Sequence, residues 1–300
     1  MVTQVAVAAD ADTEAALVAE IRVALPEHGL GHDLRAVNIV WRRELIRFRT
    51  DRLRAITSLI QPLLFLFVLG TGLSSLARRG MPAGVDFKTF IYPGVLAMSV
   101  LFTAVFSAGS IVWDREFGFL REMLVAPVRR ASLVIGKCLG GATIATFQGI
   151  VFLALAWFAH VPYNAVLLLT LIGELLLLSF TLTAFGLMMA ARIKQFQSFI
   201  ALTQMLVMPL FFLSGALYPL NGLPAWLSAL TRIDPLTYIV GPMRHAVFGY
   251  LNLPAPDLKQ LAPGITWGSW VVPVGVSLGI VAVMGLVMMV IAIAEFRKTE

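Results

Sequence analysis

The sequence predicts an all-α integral membrane protein with six transmembrane helices, a cytoplasmic amphipathic helix before the first, and short re-entrant outer helices before the last. Two observations carry that class. Of the 300 residues, 59% are hydrophobic and 13% charged, with a mean hydropathy of +0.86; soluble domains are roughly half apolar and about a quarter charged. The apolar residues also gather into long uncharged stretches, each near the about 20 residues a helix needs to cross hydrocarbon. No single water-soluble core of this length buries so much apolar surface. Disordered, collagen-like and disulfide-scaffold classes are excluded by the same composition. The single Cys138 can form no internal disulfide and says nothing of compartment.

The six spans fall at Ile56–Leu76, Phe90–Trp113, Cys138–Ala159, Ala165–Ala190, within Gln195–Leu217 and within Trp270–Ala294. The alternating loops carry 17 Lys and Arg on one side and six on the other, which puts both termini and the basic loops in the cytoplasm. The net charge of +6 follows from that topology and from contact with anionic lipid; nucleic-acid binding is not required.

In chain order, residues 1–33 read as an acidic cytoplasmic tail, with Asp10, Asp12, Glu14, Glu20, Glu27 and Asp33 against Arg22. No basic region followed by an apolar run and a cleavage site is present, so the tail is not a signal peptide. One short helix fits residues 13–25. Across 34–55, Val37, Val40, Trp41, Leu45 and Phe48 recur at three- and four-residue steps among arginines. That spacing makes an amphipathic helix, either lying in the inner headgroup layer with arginines near phosphates or serving as a plain positive-inside anchor.

The loop after the second span reads Asp114-Arg-Glu-Phe-Gly-Phe-Leu-Arg-Glu-Met-Leu-Val-Ala-Pro127. Asp114 suits a helix N-cap and Pro127 a helix end, giving a three-turn cytoplasmic helix over 114–126. Its apolar side of Phe117, Leu120, Met123 and Leu124 needs a cover, either lipid or a partner's groove. Before the last span, Pro219, Gly222 and Pro224 break an uncharged stretch too long for one crossing. Pro224 and Pro235 suit first helical positions and Asp234 an N-cap, so two short outer helices follow, the second kinked by Pro242.

With these residues in view, Trp113–Gly141 (Asp-Arg-Glu-Phe-Gly, Glu-Met-Leu-Val-Ala-Pro, Gly-Lys) resembles the ABC-2 family of ABC-transporter permeases, in its daunorubicin-resistance and nodulation-factor export type. Phe212-Leu-Ser-Gly-Ala-Leu-Tyr-Pro219, Leu223-Pro224 and Asp234-Pro-Leu-Thr-Tyr238 carry the same resemblance, which spans about residues 35–298. It implies a plasma-membrane subunit of a prokaryotic exporter, acting as a homodimer, or as a heterodimer with a similar permease, and docking two separate ABC ATPase subunits. It also implies that the 114–127 helix couples to the ATPase through Glu116, Phe119, Arg121, Glu122 and Pro127. The outer helices, about 220–250, would form an external gate with Gly215, Tyr218, Pro219, Pro235 and Tyr238; an ordinary structured loop is the other reading.

No cofactor is expected on this chain. A Walker A loop needs Gly-x-x-x-x-Gly-Lys-Ser/Thr, whereas the only Gly-Lys pair, Gly136-Lys137, precedes Cys138 and has Ala131 five positions before it. ATP and Mg²⁺ would sit on the partner. No metal site is expected: His28 and His32 flank glycines with no third ligand.

Inside the spans, Glu174 falls near the midplane, where a carboxylate must face protein or water, or be protonated. A transport-path role and a structural hydrogen bond to Gln148 or Gln204 both fit; Gln61, Thr103 and Ser107 are weaker candidates. Gly136/Gly140 and Gly275/Gly279 have the spacing for close helix packing, though composition alone produces about two such pairs. An intramembrane enzyme would need paired aspartates, or a serine and histidine within spans, and neither is present. A secondary transporter would show repeated halves, and none is found. Tyr and Trp cluster near span ends as an interfacial belt, which favours an amphipathic drug-like or lipid-like substrate, with a lipo-oligosaccharide or polysaccharide as the alternative.

Overall fold

A computed structural model describes residues 29–74, 85–118, 128–220, 222–251, 254–267 and 270–299. Among the described residues, six helices are long and apolar enough to cross a membrane: Ala55–Gly72, Phe87–Glu116, Arg130–Leu153, Ala165–Ala190, Phe196–Leu213 and Val274–Lys298. The chain is a multi-pass helical membrane protein.

The chain enters the fold through α1 (Leu30–Thr50), breaks at Asp51, and continues in α2 (Arg52–Leu64). After Pro62, α2 loosens into a π-helical stretch (Phe65–Leu69) and closes with Gly70–Gly72. The ring of Pro62 removes one ladder hydrogen bond, and the following backbone widens by a residue per turn. The remaining spans are α3 (Phe87–Glu116), α4 (Arg130–Leu153), α5 (Ala165–Ala190) and α6 (Phe196–Leu213). Two short helices follow, α7 (Ala225–Thr231) and α8 (Thr237–Gly249). Then come α9 (Ala255–Leu261), an antiparallel two-stranded ribbon of β1 (Thr266–Trp267) and β2 (Trp270–Val271), and α10 (Val274–Thr299).

Helix α3 is the axis of the bundle, touching α2, α4, α5, α6 and α8. Of its most apolar window 83% is buried, against 17% for the first span and 22% for α6. Small residues permit that packing. A Cβ on Gly94 would lie 2.5 Å from the Ala216 Cβ, and one on Gly109 2.8 Å from the Phe199 ring. At its start, Thr89 donates to Ala159 O (2.8 Å) and Tyr92 to Phe152 O (3.3 Å), satisfying carbonyls where α4 ends.

Two expectations change here. Asp114 caps no separate helix: α3 runs through it to Glu116 and stops at Phe117 and Gly118, whose φ of +82° suits glycine. Residues 119–127, most of the coupling helix, lie outside the described residues, as does the short helix expected at 13–25. The third span begins at Arg130, before the expected Cys138, and ends at Leu153, short of a 3₁₀ turn at Ala156–Ala159. Counting uncharged residues placed Lys137 outside the span, but its charge is matched inside the protein.

The amphipathic reading of α1 also shifts. Its buried residues Ala36, Val40 and Glu44 face α4, and Trp41 Nε1 donates to Thr143 Oγ1 (3.1 Å). The exposed face mixes Ile39 and Ile46 with Arg42 and Arg49. Gly136 and Gly140 make the close approach to α1, whereas a Cβ at Gly275 or Gly279 would meet nothing within 4 Å among the described residues. A Cβ at Gly136 would meet Val40 Cβ at 2.7 Å and Val37 O at 3.0 Å. Gly136→Ala is therefore expected to destabilise by about 1–3 kcal/mol through overpacking, lowering the melting temperature in detergent. Gly279→Ala should leave it nearly unchanged.

Candidate functional site

At the arginine-rich end, three elements converge on one ammonium. Lys137 Nζ lies 2.9 Å from Glu44 Oε1 on α1, 2.6 Å from Asp114 Oδ2 on α3 and 3.0 Å from Ser110 Oγ. Its three protons thus meet three acceptors. Asp114 Oδ1 receives Arg43 Nη2 at 3.1 Å and has Arg47 Nη1 at 3.6 Å. Lys137, Glu44 and Asp114 are all buried. The lysine and arginines entered the sequence reading as topology signals, and Glu44 had no role there. The signal that could have shown the cluster is the i, i+4 register of Val40 and Glu44 facing Gly136 and Gly140.

The next two residues of α3 reach other helix ends. Arg115 Nη1 donates to Ala190 O (3.1 Å) and Ile193 O (2.7 Å) at the end of α5, and its Cζ stands 5.2 Å from the Phe296 ring of α10. Glu116 Oε2 accepts from Phe196 N (2.7 Å), capping α6, as a carboxylate does well at a helix N-terminus. Asp114, Arg115 and Glu116 thereby fasten the end of α3 to α1, α4, α5, α6 and α10. Of the expected coupling residues, Glu116 has this place; Phe119, Arg121, Glu122 and Pro127 lie outside the described residues.

At the opposite end, the outer segment forms two short helices, as expected, α7 starting one residue after Pro224 and α8 two residues after Pro235. Asp234 Oδ1 accepts from Leu236 N (3.0 Å) and Oδ2 from Thr237 Oγ1 (2.8 Å). Pro235 is buried behind this turn, and Pro219 is exposed in the loop ahead of α7. Tyr238 donates to Arg232 O (2.9 Å) and accepts from Trp267 Nε1 (3.2 Å); Tyr218 donates to Phe212 O (2.9 Å). Gly215 sits in a left-handed turn at φ +71°. Arg244, read from sequence only as a loop charge, is buried here. Its Nη2 donates to Gly215 O (2.8 Å) and Ala216 O (3.2 Å), and its Cζ lies 4.3 Å from the Phe90 ring. Burial lowers its pKa to about 10, which leaves it charged at neutral pH. These contacts join α8, the turn after α6 and the start of α3.

The three path candidates are not brought together by hydrogen bonds. Glu174 is buried on α5, and its Oε2 finds no partner among the described residues. Gln148 accepts from Ser58 Oγ (2.9 Å), and Gln204 is exposed on α6. Among the described residues no group of three or more His, Cys, Asp or Glu is placed to hold a metal; His32 lies in α1 and His28 outside the described residues.

Two outcomes follow. Lys137→Met strands two buried carboxylates and is expected to cost about 3–5 kcal/mol, read as a lower melting temperature; adding Glu44→Gln should recover part of it. Burial raises the Asp234 pKa from its ordinary 3.8 to about 7. The folded state then holds a proton that the unfolded chain has released, so stability from this group falls as pH rises from about 4 to about 7 and is flat above. Asp234→Asn keeps the Leu236 N bond at its carbonyl oxygen and can donate from Nδ2 to Thr237 Oγ1 in place of accepting, and its melting temperature should fall less than the wild type's across that window.

Residues 35–248 match the model of the ABC-2 type transporter family. The Escherichia coli K12 inner membrane transport permease YadH is 26% identical, over 73% of this chain and 85% of its own. Nodulation protein J of Rhizobium leguminosarum bv. trifolii is 28% identical, over 74% and 83%. The probable multidrug ABC transporter permease YbhR of Escherichia coli K12 is 31% identical, over 64% of this chain and half of its own. With six candidate spans among its described residues and a family match over residues 35–248, this chain belongs to the ABC-2 type transporters as a membrane permease.

Proposed function

We propose that this permease is the membrane subunit of an ATP-driven exporter in a prokaryotic plasma membrane, with its arginine-rich end and both termini in the cytoplasm. Two ABC ATPase subunits would dock on the loop at 119–127 and carry ATP and Mg²⁺, so the chain itself catalyses nothing. The observation that supports this best is the end of α3. The three residues before the loop hold α1, α4, α5, α6 and α10 by buried ion pairs and charge-assisted bonds to helix termini. Such bonds are about twice as strong as neutral ones, so a push on the loop moves the helix ends as one body. A connection with no load to bear needs no such fastening.

The substrate in this reading is an amphipathic, drug-like or lipid-like compound, in keeping with the multidrug name of one relative. The permease would pair with a second copy or a similar chain. The first span and α6 are the least buried, exposing Ile60, Leu64 and Val68 on one and Met205, Met208 and Phe212 on the other. Those faces suit lipid or a second permease.

The test is the assembled complex with its ATPase. Glu122→Arg and Arg121→Glu should each lower retention of the ATPase and abolish substrate-stimulated hydrolysis. Glu116→Ala should keep the ATPase bound but reduce stimulation and export severalfold. Unchanged stimulation in all three would overturn the coupling role of this end.

A further inference from the structure

At the end of the bundle opposite the ionic cluster, a cavity of about 490 Å³ lies against the two-stranded ribbon. Its walls are one side of α8, the stretch from Ala262 into β1, and the stretch from β2 into the first turn of α10. That volume falls in the range of small-ligand pockets.

The space stays open because the residues around it cannot fill it. Gly241, Pro242, Pro263, Gly264 and Pro273 line it with absent or ring-locked side chains. A Cβ at Gly241 would meet nothing within 4 Å among the described residues, so α8 faces open space there. The ribbon holds the opposite wall in place. Val272 N donates to Ile265 O (2.8 Å), extending the pairing of Thr266 with Val271, and Ile265 and Val272 are both buried. Trp267 Nε1 donates to the Tyr238 hydroxyl (3.2 Å), one turn before Gly241, and so ties the ribbon to α8. Only Thr266, His245 and Ser277 bring polar side chains to the lining. A cavity so apolar stays dry and takes an apolar occupant.

The surroundings say which occupant is at hand. Val274, in the cavity wall, begins an exposed face of α10 that continues through Val276, Val283, Leu286, Val287 and Val290. In a membrane that face of a span meets hydrocarbon. Trp267 and Trp270 are half-exposed and stand edge-on at 6.0 Å, just before α10 begins. Indoles prefer that level, where a span leaves hydrocarbon for headgroups. Arg232, whose carbonyl accepts the Tyr238 hydroxyl at 2.9 Å, is exposed at the same corner and offers a cation to phosphate.

We infer that this cavity holds one acyl chain of a resident phospholipid from the adjacent leaflet, its headgroup level with the ribbon tryptophans. The chain fills the space between Gly241 of α8 and the buried pair Ile265 and Val272, so lipid becomes part of the packing that joins α8 to α10. A second polypeptide fits this place poorly, because a slot walled by prolines and glycines needs a thin, adaptable occupant. The inference requires the six-span fold and not the exporter reading.

The experiment uses the full-length permease in nanodiscs of phosphatidylcholine carrying a mid-chain diazirine, with adducts located by mass spectrometry after irradiation. Adducts are expected on Ile265 and Val272 as well as on Val283 and Leu286. Lipid at the protein surface reaches only the exposed second pair. Gly241→Leu puts a side chain into the open space and should lower labelling of Ile265 and Val272 severalfold, with Val283 and Leu286 unchanged. Gly279→Leu, on α10 but outside the cavity wall, should leave all four labelled. Adducts confined to Val283 and Leu286 in the wild type, or undiminished at Ile265 and Val272 in Gly241→Leu, would overturn the inference. Should Gly241→Leu fail to fold, the wild-type labelling decides alone. In the complex with its ATPase, adding ATP should leave labelling of Ile265 and Val272 unchanged. Loss of that labelling during hydrolysis would make the chain cargo and overturn the assignment to a resident lipid.

Discussion

A lysine ammonium buried eight residues into a membrane helix is tolerable only if its charge is answered on the spot. Lys137 is answered by Glu44 and Asp114 together, and that requirement fixes much of the arginine-rich end. It draws α1 onto α4 closely enough that the contact positions must be Gly136 and Gly140. It keeps α3 helical past Asp114, because the aspartate has to reach inward from a continuing helix. Arg43 and Arg47 then follow Asp114. Breaking one pair costs more than forming it contributes, since the charge left behind has no water.

The spans were legible in the sequence because hydrocarbon imposes the same demand on every segment that crosses it: backbone satisfied internally, side chains apolar, length near 30 Å. Asp234 was legible for a different reason. Its partners, Leu236 N and Thr237 Oγ1, lie two and three residues away, within reach of local spacing rules. The arginine-rich cluster was not legible. Counting Lys137, Arg43 and Arg47 by sign captures topology but discards pairing, and pairing here joins residues 23 to 93 positions apart. Arg244 was hidden likewise, since its acceptors are backbone carbonyls 28 and 29 residues back. A carbonyl leaves no mark on the residue type that supplies it.

The two ends of α3 are fastened by different chemistry. Near its start, Thr89 and Tyr92 donate to carbonyls, and the Phe90 ring lies under the Arg244 guanidinium. The first two bonds are neutral, whereas the buried Arg244 charge is held by a ring face and by the carbonyls of Gly215 and Ala216. Near its finish, the bonds are ionic or charge-assisted, and the central ones are buried. A buried ion pair cannot be stretched by an ångström or two without exposing a bare charge to a low dielectric. Displacement at that end is therefore all or none, with α1, α4 and the ends of α5 and α6 carried along. In the proposed exporter, work delivered next to Glu116 travels along α3 to the Arg244 cluster, which ties the start of α3 to the turn around Gly215 and to α8.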